Sequence, residues 1–214
     1  MLTLAADTSL PLLSVALVDD ERLLGAIALE GKGSRNEKLL PAIDWLLTES
    51  NVDRKSIELF AVTRGPGSFT GVRIGLATIQ GLALALNKRV IAMSTHEAIV
   101  GPAEPGAPNA LGGAPASAGQ PLAIVDDAGR GEYYVSIFAN GHEVVAPHLA
   151  GAVDHHAKII RVSEFIQHSN VAAGCAMRAL QIVRAGEEDR YADATPIYVR
   201  LAEAEVKLQQ KRNG

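Results

Sequence analysis

Arg64-Gly65-Pro66-Gly67-Ser68-Phe69-Thr70-Gly71-Val72-Arg73-Ile74-Gly75 packs glycine densely into a single corner of the chain. The apolar run Leu59-Phe60-Ala61-Val62 before it reads as a buried strand, and the apolar stretch after it reads as a helix ending near Asn87. Glycine at such density between a strand and a helix means that backbone passes close to something there, either a phosphate or another polypeptide surface.

The phosphate reading is incomplete. The corner lacks the Gly-Lys-Ser/Thr ending of a P-loop, and Gly65-x-Gly67-x-x-x-Gly71 is one residue too long for a dinucleotide fingerprint. It holds no lysine, so Arg73 is the one cation placed to meet an anion. Nor is Ser68 a nucleophile elbow, since no glycine follows two residues later; Ser68 or Thr70 serves instead as a helix N-cap. The helix favours a protein neighbour. Val72, Ile74, Leu76, Ile79, Leu82, Leu84 and Leu86 surround its axis, so a second surface is needed beyond its own sheet. Gly71 and Gly75 form one smooth row, and Ala77, Gly81 and Ala85 another, where a helix can approach closely. The corner reads as built for docking on a partner helix, with a small-residue face packed inside the same subunit as the alternative.

Working outward, Leu2–Ala6 reads as a strand, and Leu12–Val18 and Leu23–Leu29 as a hairpin around Asp19-Asp20-Glu21-Arg22. Ser34 with Glu37 forms a capping box before a helix carrying Leu39, Leu40, Ile43, Leu46 and Leu47, with Pro41 in its first turns. Arg89–Met93 is a further strand. The order β-β-β-α-β-α-β is that of a ribonuclease-H-like unit. Between Gly101 and Pro121, sixteen positions are Gly, Pro or Ala, the composition of a flexible surface insertion.

Past this insertion the first pattern returns. Leu122–Val125 leads into Asp126-Asp127 as Leu2–Ala6 leads into Asp7, and Tyr133–Phe138 and His142–Ala146 flank the type I′ signal Asn140-Gly141. A short helix over Ser163–His168, a strand over Asn170–Ala173 and a helix over Ala176–Ala185 complete a shortened second unit. The fold class expected is α/β, the actin-like ATPase plan of two ribonuclease-H-like units. Its parts are a lobe over 1–100, the insertion over 101–121, a shortened lobe over 122–190 and a tail over 191–214 that returns toward the first lobe. In that plan Asp7, Thr8 and Ser9, with Asp126 and Gly129 opposite, stand where phosphates and a hydrated magnesium would lie. Aspartate after a strand is equally routine turn chemistry, which makes the cleft vestigial.

Composition excludes several classes. A net charge of −4 argues against strong direct nucleic-acid binding. The single cysteine, Cys175, excludes a disulfide framework and a thiolate zinc site, and reads as a small buried residue. No two of the six histidines are four apart, and Asp154-His155-His156 reads as an exposed polar turn rather than a metal site. The beginning of the chain shows neither basic leader nor apolar signal core, and Ile74–Leu86 is too short to span a bilayer. The expected location is the cytoplasm.

Asp7-Thr-Ser, Glu37-Lys-Leu-Leu-Pro41, the Arg64–Gly75 run, Ser94-Thr95, Asp126-Asp-Ala-Gly-Arg-Gly-Glu-Tyr-Tyr134 and Pro196-x-Tyr198-x-Arg200 together resemble the TsaB (YeaZ) family, from Leu2 to about Arg200. The resemblance implies a subunit of the bacterial machinery that places threonylcarbamoyl on N6 of adenosine 37 in tRNAs reading codons that begin with A. It implies no catalytic residue, metal or cofactor in this chain: the chemistry belongs to the TsaD paralogue, with ATP and metal on partner subunits including the TsaE ATPase. It also implies docking on the TsaD-like paralogue through the two helices of the first lobe, by way of Leu39, Ile43, Leu46, Gly71, Arg73, Ile74, Gly75, Thr78 and Leu82. An overlapping surface would form a homodimer when the chain is alone, and Gly75→Leu would abolish association while leaving the monomer folded. Arg35-Asn36 departs from the His-Ser or His-Thr usual in relatives, and the insertion is longer than theirs. Two other readings stay open: a free-standing actin-fold kinase or metallopeptidase using Asp7, Thr8 and Asp126, and an unrelated homodimeric structural protein.

Overall fold

The computed structural model describes residues 1–30, 35–101, 120–152, 157–191 and 193–200. Ser34 of the capping box, the interior of the Gly101–Pro121 stretch, Asp154-His155-His156 and the tail beyond Arg200 lie outside these residues, as do the side chains of Arg35 and Asn36.

The first lobe comprises β1 (Leu2–Asp7), β2 (Leu12–Asp19), β3 (Arg22–Glu30), α1 (Arg35–Glu49), β4 (Leu59–Thr63), α2 (Phe69–Leu86), β5 (Arg89–Met93) and α3 (Thr95–Val100). Its sheet runs β3-β2-β1-β4-β5. The first three strands pair antiparallel, whereas β4 and β5 run parallel to β1. Strand alternation divides the core into two layers. Leu4, Ala6, Phe60 and Val62 face Leu39, Ile43 and Leu46 of α1 and Val72, Leu76 and Ile79 of α2. Ala5, Leu59, Ala61 and Ile91 face the other way, toward Ala98, Ile99 and Val100 of α3 and the last long helix.

The second lobe has β6 (Leu122–Gly129), β7 (Glu132–Ala139), β8 (His142–Ala150), β9 (Lys158–Arg161), α4 (Val162–Phe165) and α5 (Val171–Ala185). Its sheet order, β8-β7-β6-β9, repeats β3-β2-β1-β4 and stops one strand earlier. This repeated order is the doubled ribonuclease-H-like plan of the actin-like fold, with the second copy shortened. Seven residues join β8 to β9, leaving no room for a helix of α1's length.

The structure corrects two expectations here. Asn170–Ala173 is not a strand: Asn170 caps α5, its Oδ1 accepting from Ala173 N at 2.9 Å, and Val171–Ala173 form the first turn. A short apolar run buried on every side gives no periodicity to separate the two states. The parallel strand of the second lobe is β9 instead, next to β6. The helix expected over Ser163–His168 is shorter, ending at Phe165.

At 18 residues α2 is also long and apolar enough, by length and composition, to match a membrane span. Within this fold it is the crossover between parallel neighbours β4 and β5, with Val72, Leu76, Ile79 and Ala83 buried against the sheet.

Candidate functional site

The glycine corner closes on the chain's own backbone. After β4, the Gly65–Pro66 peptide is cis and Gly65 O accepts from Thr95 N at 2.8 Å. Ser68 N donates to Ser9 O at 2.7 Å, and Ser68 Oγ caps α2 by accepting from Gly71 N at 3.2 Å. Thr8 Oγ1 donates to Gly71 O at 2.6 Å. A Cβ on Gly67 would lie 2.4 Å from Ser9 O, one on Gly71 2.0 Å from Thr8 O, and one on Gly75 2.3 Å from Thr8 Oγ1. Real side chains do not approach so closely, so glycine here admits the Thr8–Ser9 turn between β1 and β2. Gly71 and Gly75 are therefore internal packing positions, not partner contacts, and a leucine at Gly75 would collide inside the monomer.

This packing shapes the cleft. Asp7, Thr8 and Ser9 are all buried. Asp7 Oδ1 accepts from Ser9 N (3.1 Å), Ser9 Oγ (2.5 Å) and Thr63 Oγ1, while its Oδ2 is buried with no partner. Burial outweighs these bonds and raises the Asp7 carboxyl above the ordinary carboxylate range. Asp126 stands near enough to feel Asp7. Its carboxyl rises to about 6, first through burial, with the charges of Asp127 and Asp7 adding. The structure thus brings Asp7, Thr8, Ser9 and Asp126 together. Gly129 sits in the β6–β7 turn, its N–H bound by Asp127 Oδ1 at 2.7 Å. Among the described residues, no group of three or more His, Cys, Asp or Glu could hold a metal. His96 is buried as a neutral imidazole, its pKa pushed down to about 3, with Nδ1 on Ser136 Oγ at 2.8 Å.

The tail bridges the two turns of this cleft. Ile197 N donates to Arg64 O at 2.7 Å, Tyr198 stacks on Phe69 at 4.7 Å, and Arg73 Nε donates to Tyr198 OH at 2.6 Å. The Arg73 guanidinium also lies 3.9 Å over the Phe69 ring. Two residues on from Tyr198, Arg200 Nη1 donates to Ala128 O at 2.8 Å and its Nη2 pairs with Glu132 in the second lobe. The Thr8–Ser9 turn is thus engaged by the glycine corner and the β6–β7 turn by Arg200.

The outward sides of α1 and α2 form the other notable surface. Leu39, Ile43 and Leu46 are not on it. They are sealed in the first lobe's core, since the apolar stripe of α1 serves its own sheet. Exposed instead are Leu40 (46%), Trp45 (58%) and Leu84 (84%). Arg73, Ala77, Gly81 and Ala85 are exposed too, with Ile74, Thr78 and Leu82 half-buried beside them. A Cβ on Gly81 would meet nothing within 4 Å. Trp45 was missed in sequence, although a tryptophan off the buried stripe of a helix was the available signal. Large apolar side chains left exposed on helices otherwise committed to the core are candidates for contact with another macromolecule.

A family model described as "TsaD: tRNA N6-adenosine threonylcarbamoyltransferase" matches residues 32–205. The TsaB threonylcarbamoyladenosine biosynthesis protein of Buchnera aphidicola subsp. Baizongia pistaciae is 41% identical over 93 residues, covering 43% of this chain and 42% of that protein. Its Escherichia coli K12 namesake is 40% identical over 95 residues, 44% of this chain and 41% of that protein. The chain thus spans less than half the length of these curated relatives. Two Pseudomonas aeruginosa structures are similar along nearly their whole length. One is described as an uncharacterized protein with similarity to peptidase YeaZ; its TM-score is 0.70 at 25% identity, covering 93% of this chain and 99% of that one. The other, YeaZ, gives 0.68 at 25% identity over 92% and 99%.

Proposed function

Because the chain belongs to the TsaD-type tRNA N6-adenosine threonylcarbamoyltransferase family, on its TsaB (YeaZ) side, we propose that it is the non-catalytic activating subunit for N6-threonylcarbamoyladenosine formation at position 37 of tRNAs reading codons that begin with A. It acts in the cytoplasm by docking the α1–α2 face on a TsaD-like catalytic paralogue. A TsaE-like ATPase joins the assembly, and tRNA is the substrate of the whole. ATP and metal reside on the partner subunits. Without partners the same face pairs two copies of this chain.

The observation that carries this reading is that α1 and α2, whose other sides are committed to the core, each leave a large apolar side chain exposed, Trp45 and Leu84. A docked subunit activates by binding one conformation of its partner better than another, and the shift is limited to that difference in affinity. The filled Thr8–Ser9 turn supports the scaffold over a free-standing kinase. A phosphate there would have to displace Gly67 and Gly71 from the backbone they touch.

Reconstitution of tRNA modification tests the proposal directly. With the TsaD-like paralogue, the TsaE-like ATPase and threonylcarbamoyl-adenylate present, the modified nucleoside should form only when this chain is added. Trp45→Glu or Leu84→Glu should remove that stimulation while the chain stays folded. Full modification without the chain, or tight Mg-ATP binding by the chain alone, would overturn it.

A further inference from the structure

Arg73 of α2 is an exposed charge that the chain holds in place without neutralising. Three contacts fix its guanidinium. Nε donates to Tyr198 OH at 2.6 Å, and Cζ lies 3.9 Å from the centre of the Phe69 ring and 5.5 Å from that of Tyr198. Both rings are within the range at which an aromatic face attracts a cation. Among the described residues no carboxylate pairs with this guanidinium, and neither Nη makes a hydrogen bond. Other arginines are committed to carboxylates: Arg64 to Asp193 at 3.4 Å, Arg89 to Glu188 at 2.5 Å, Arg178 to Glu97 at 3.0 Å and Arg200 to Glu132.

The fixing comes from far along the chain. Tyr198 lies in the tail, 125 positions beyond Arg73, and its ring stacks on Phe69 at 4.7 Å. The tail is pinned on either side of it, by Ile197 N on Arg64 O at 2.7 Å and by Arg200 Nη1 on Ala128 O at 2.8 Å. Gly65 leaves room for this path, since a Cβ there would lie 2.9 Å from Ile197 O. A long side chain held in this way has lost its rotamer freedom before any second molecule arrives, so a contact made through it costs less ordering.

Arg73 also shares a face with the exposed apolar side chain of α2. Leu84 lies eleven positions further on, about three turns along the helix and within about 20° around its axis, with Ala77 between them. All three are exposed. We propose that Tyr198 positions the Arg73 guanidinium as a fixed fork for a carboxylate side chain of the TsaD-like paralogue, at the N-terminal end of the α2 docking face. The inference rests on the docking reading and adds a polar anchor to it. The two free Nη groups can meet both oxygens of a carboxylate in one plane, a geometry that an ammonium cannot offer. A phosphate backbone is met by several cations, whereas the exposed neighbours of Arg73 on this face are Ala77, Gly81 and Leu84, and the chain's net charge is −4.

Titration calorimetry of the full chain into the purified paralogue, without tRNA, tests the proposal. Arg73→Gln should weaken association about 10- to 100-fold, the loss expected for charge-assisted hydrogen bonds, and Arg73→Lys should recover little of it. Tyr198→Phe keeps the ring stack, removes the hydroxyl and should weaken association about threefold. In the Arg73→Gln background the same change should have no further effect, because it acts through Arg73; a merely structural tyrosine would cost as much in both backgrounds. Thermal melts show that each variant is folded. Four outcomes overturn the proposal: unchanged affinity in Arg73→Gln, full recovery in Arg73→Lys, a Tyr198→Phe loss that persists without Arg73, or a loss seen only when tRNA is added, which would make the anion a phosphate. Unchanged affinity in Arg73→Gln beside a loss in Trp45→Glu would leave the docking reading standing without this anchor. No binding by the parent chain would remove both.

Discussion

Two rows of small residues run along α2, alike in composition and opposite in use. The inner row, Gly71 and Gly75, touches Thr8 so closely that neither position has room for a methyl group. The outer row, Ala77, Gly81 and Ala85, is exposed, a Cβ on Gly81 would meet nothing within 4 Å, and beside it stands Leu84, the most exposed large apolar residue among the described residues. Small residues on a helix therefore mark close approach without saying to what. In this chain the inner row holds the cleft turn, and the outer row faces solvent.

The largest effects should follow from crowding the inner row. Gly71→Val sets a Cβ against Thr8 O, a backbone atom that cannot rotate away. The cost should be about 3 kcal/mol or more, seen as a fall in Tm of roughly 10 °C. Gly75→Ala should cost less, because its obstacle is the Thr8 hydroxyl. Adding Thr8→Ala removes that obstacle, so the two changes should couple favourably by about 1 kcal/mol in a double-mutant cycle. Strict additivity would place the collision elsewhere.

The outer row and its apolar neighbours should answer in association instead. Trp45→Glu and Leu84→Glu should leave stability within about 0.5 kcal/mol, as befits exposed positions. They should weaken binding to the TsaD-like paralogue by about 2 kcal/mol, near thirtyfold, because buried aromatic and large apolar anchors dominate interfaces. Titration calorimetry with the purified paralogue measures this. A Trp45→Glu protein that binds normally would remove the face from the docking account.

The contrast also shows what a sequence can display. The strand–glycine–helix corner, the hairpins around Asp20 and Asn140-Gly141, and the repeated strand-aspartate unit were legible because they depend on neighbours along the chain. The partner of a glycine is not, since Gly71 and Thr8 lie 63 positions apart. Leu39, Ile43 and Leu46 formed a helical stripe in sequence, but a stripe fits one's own sheet as well as a partner's helix. The Arg178–Glu97–Tyr191 cluster joins three elements distant in sequence, and no local pattern announces it.

The cleft has an electrostatic consequence that the outer row lacks. Asp126 has its carboxyl raised to about 6, above its unfolded value of 3.8, first by its own burial and then by the charges of Asp127 and Asp7. The folded chain holds that proton more tightly, so the associated stability is full below pH 3.8 and is lost as pH climbs through about 6. Asp126→Asn should flatten this slope and stabilise the chain at pH 8 by about 1–2 kcal/mol, allowing for partial solvent access. At pH 3.5 variant and parent should agree. Denaturant melts across pH check both ends.

The smallest expected effect separates the two rows most cleanly. Gly81 is in the interior of α2 with open space where a Cβ would stand. Alanine there restricts the unfolded chain and improves helix propensity, so Gly81→Ala should stabilise the isolated protein by about 0.5–1 kcal/mol. If a partner helix lies flush on this row, the same methyl group should hold it off and weaken association. Stability and binding would then move in opposite directions from one atom, whereas at Gly71 both must fall together. A Gly81→Ala chain that is more stable and binds its partner as well as before would confine close docking to Trp45 and Leu84, leaving the outer row only as a smooth margin.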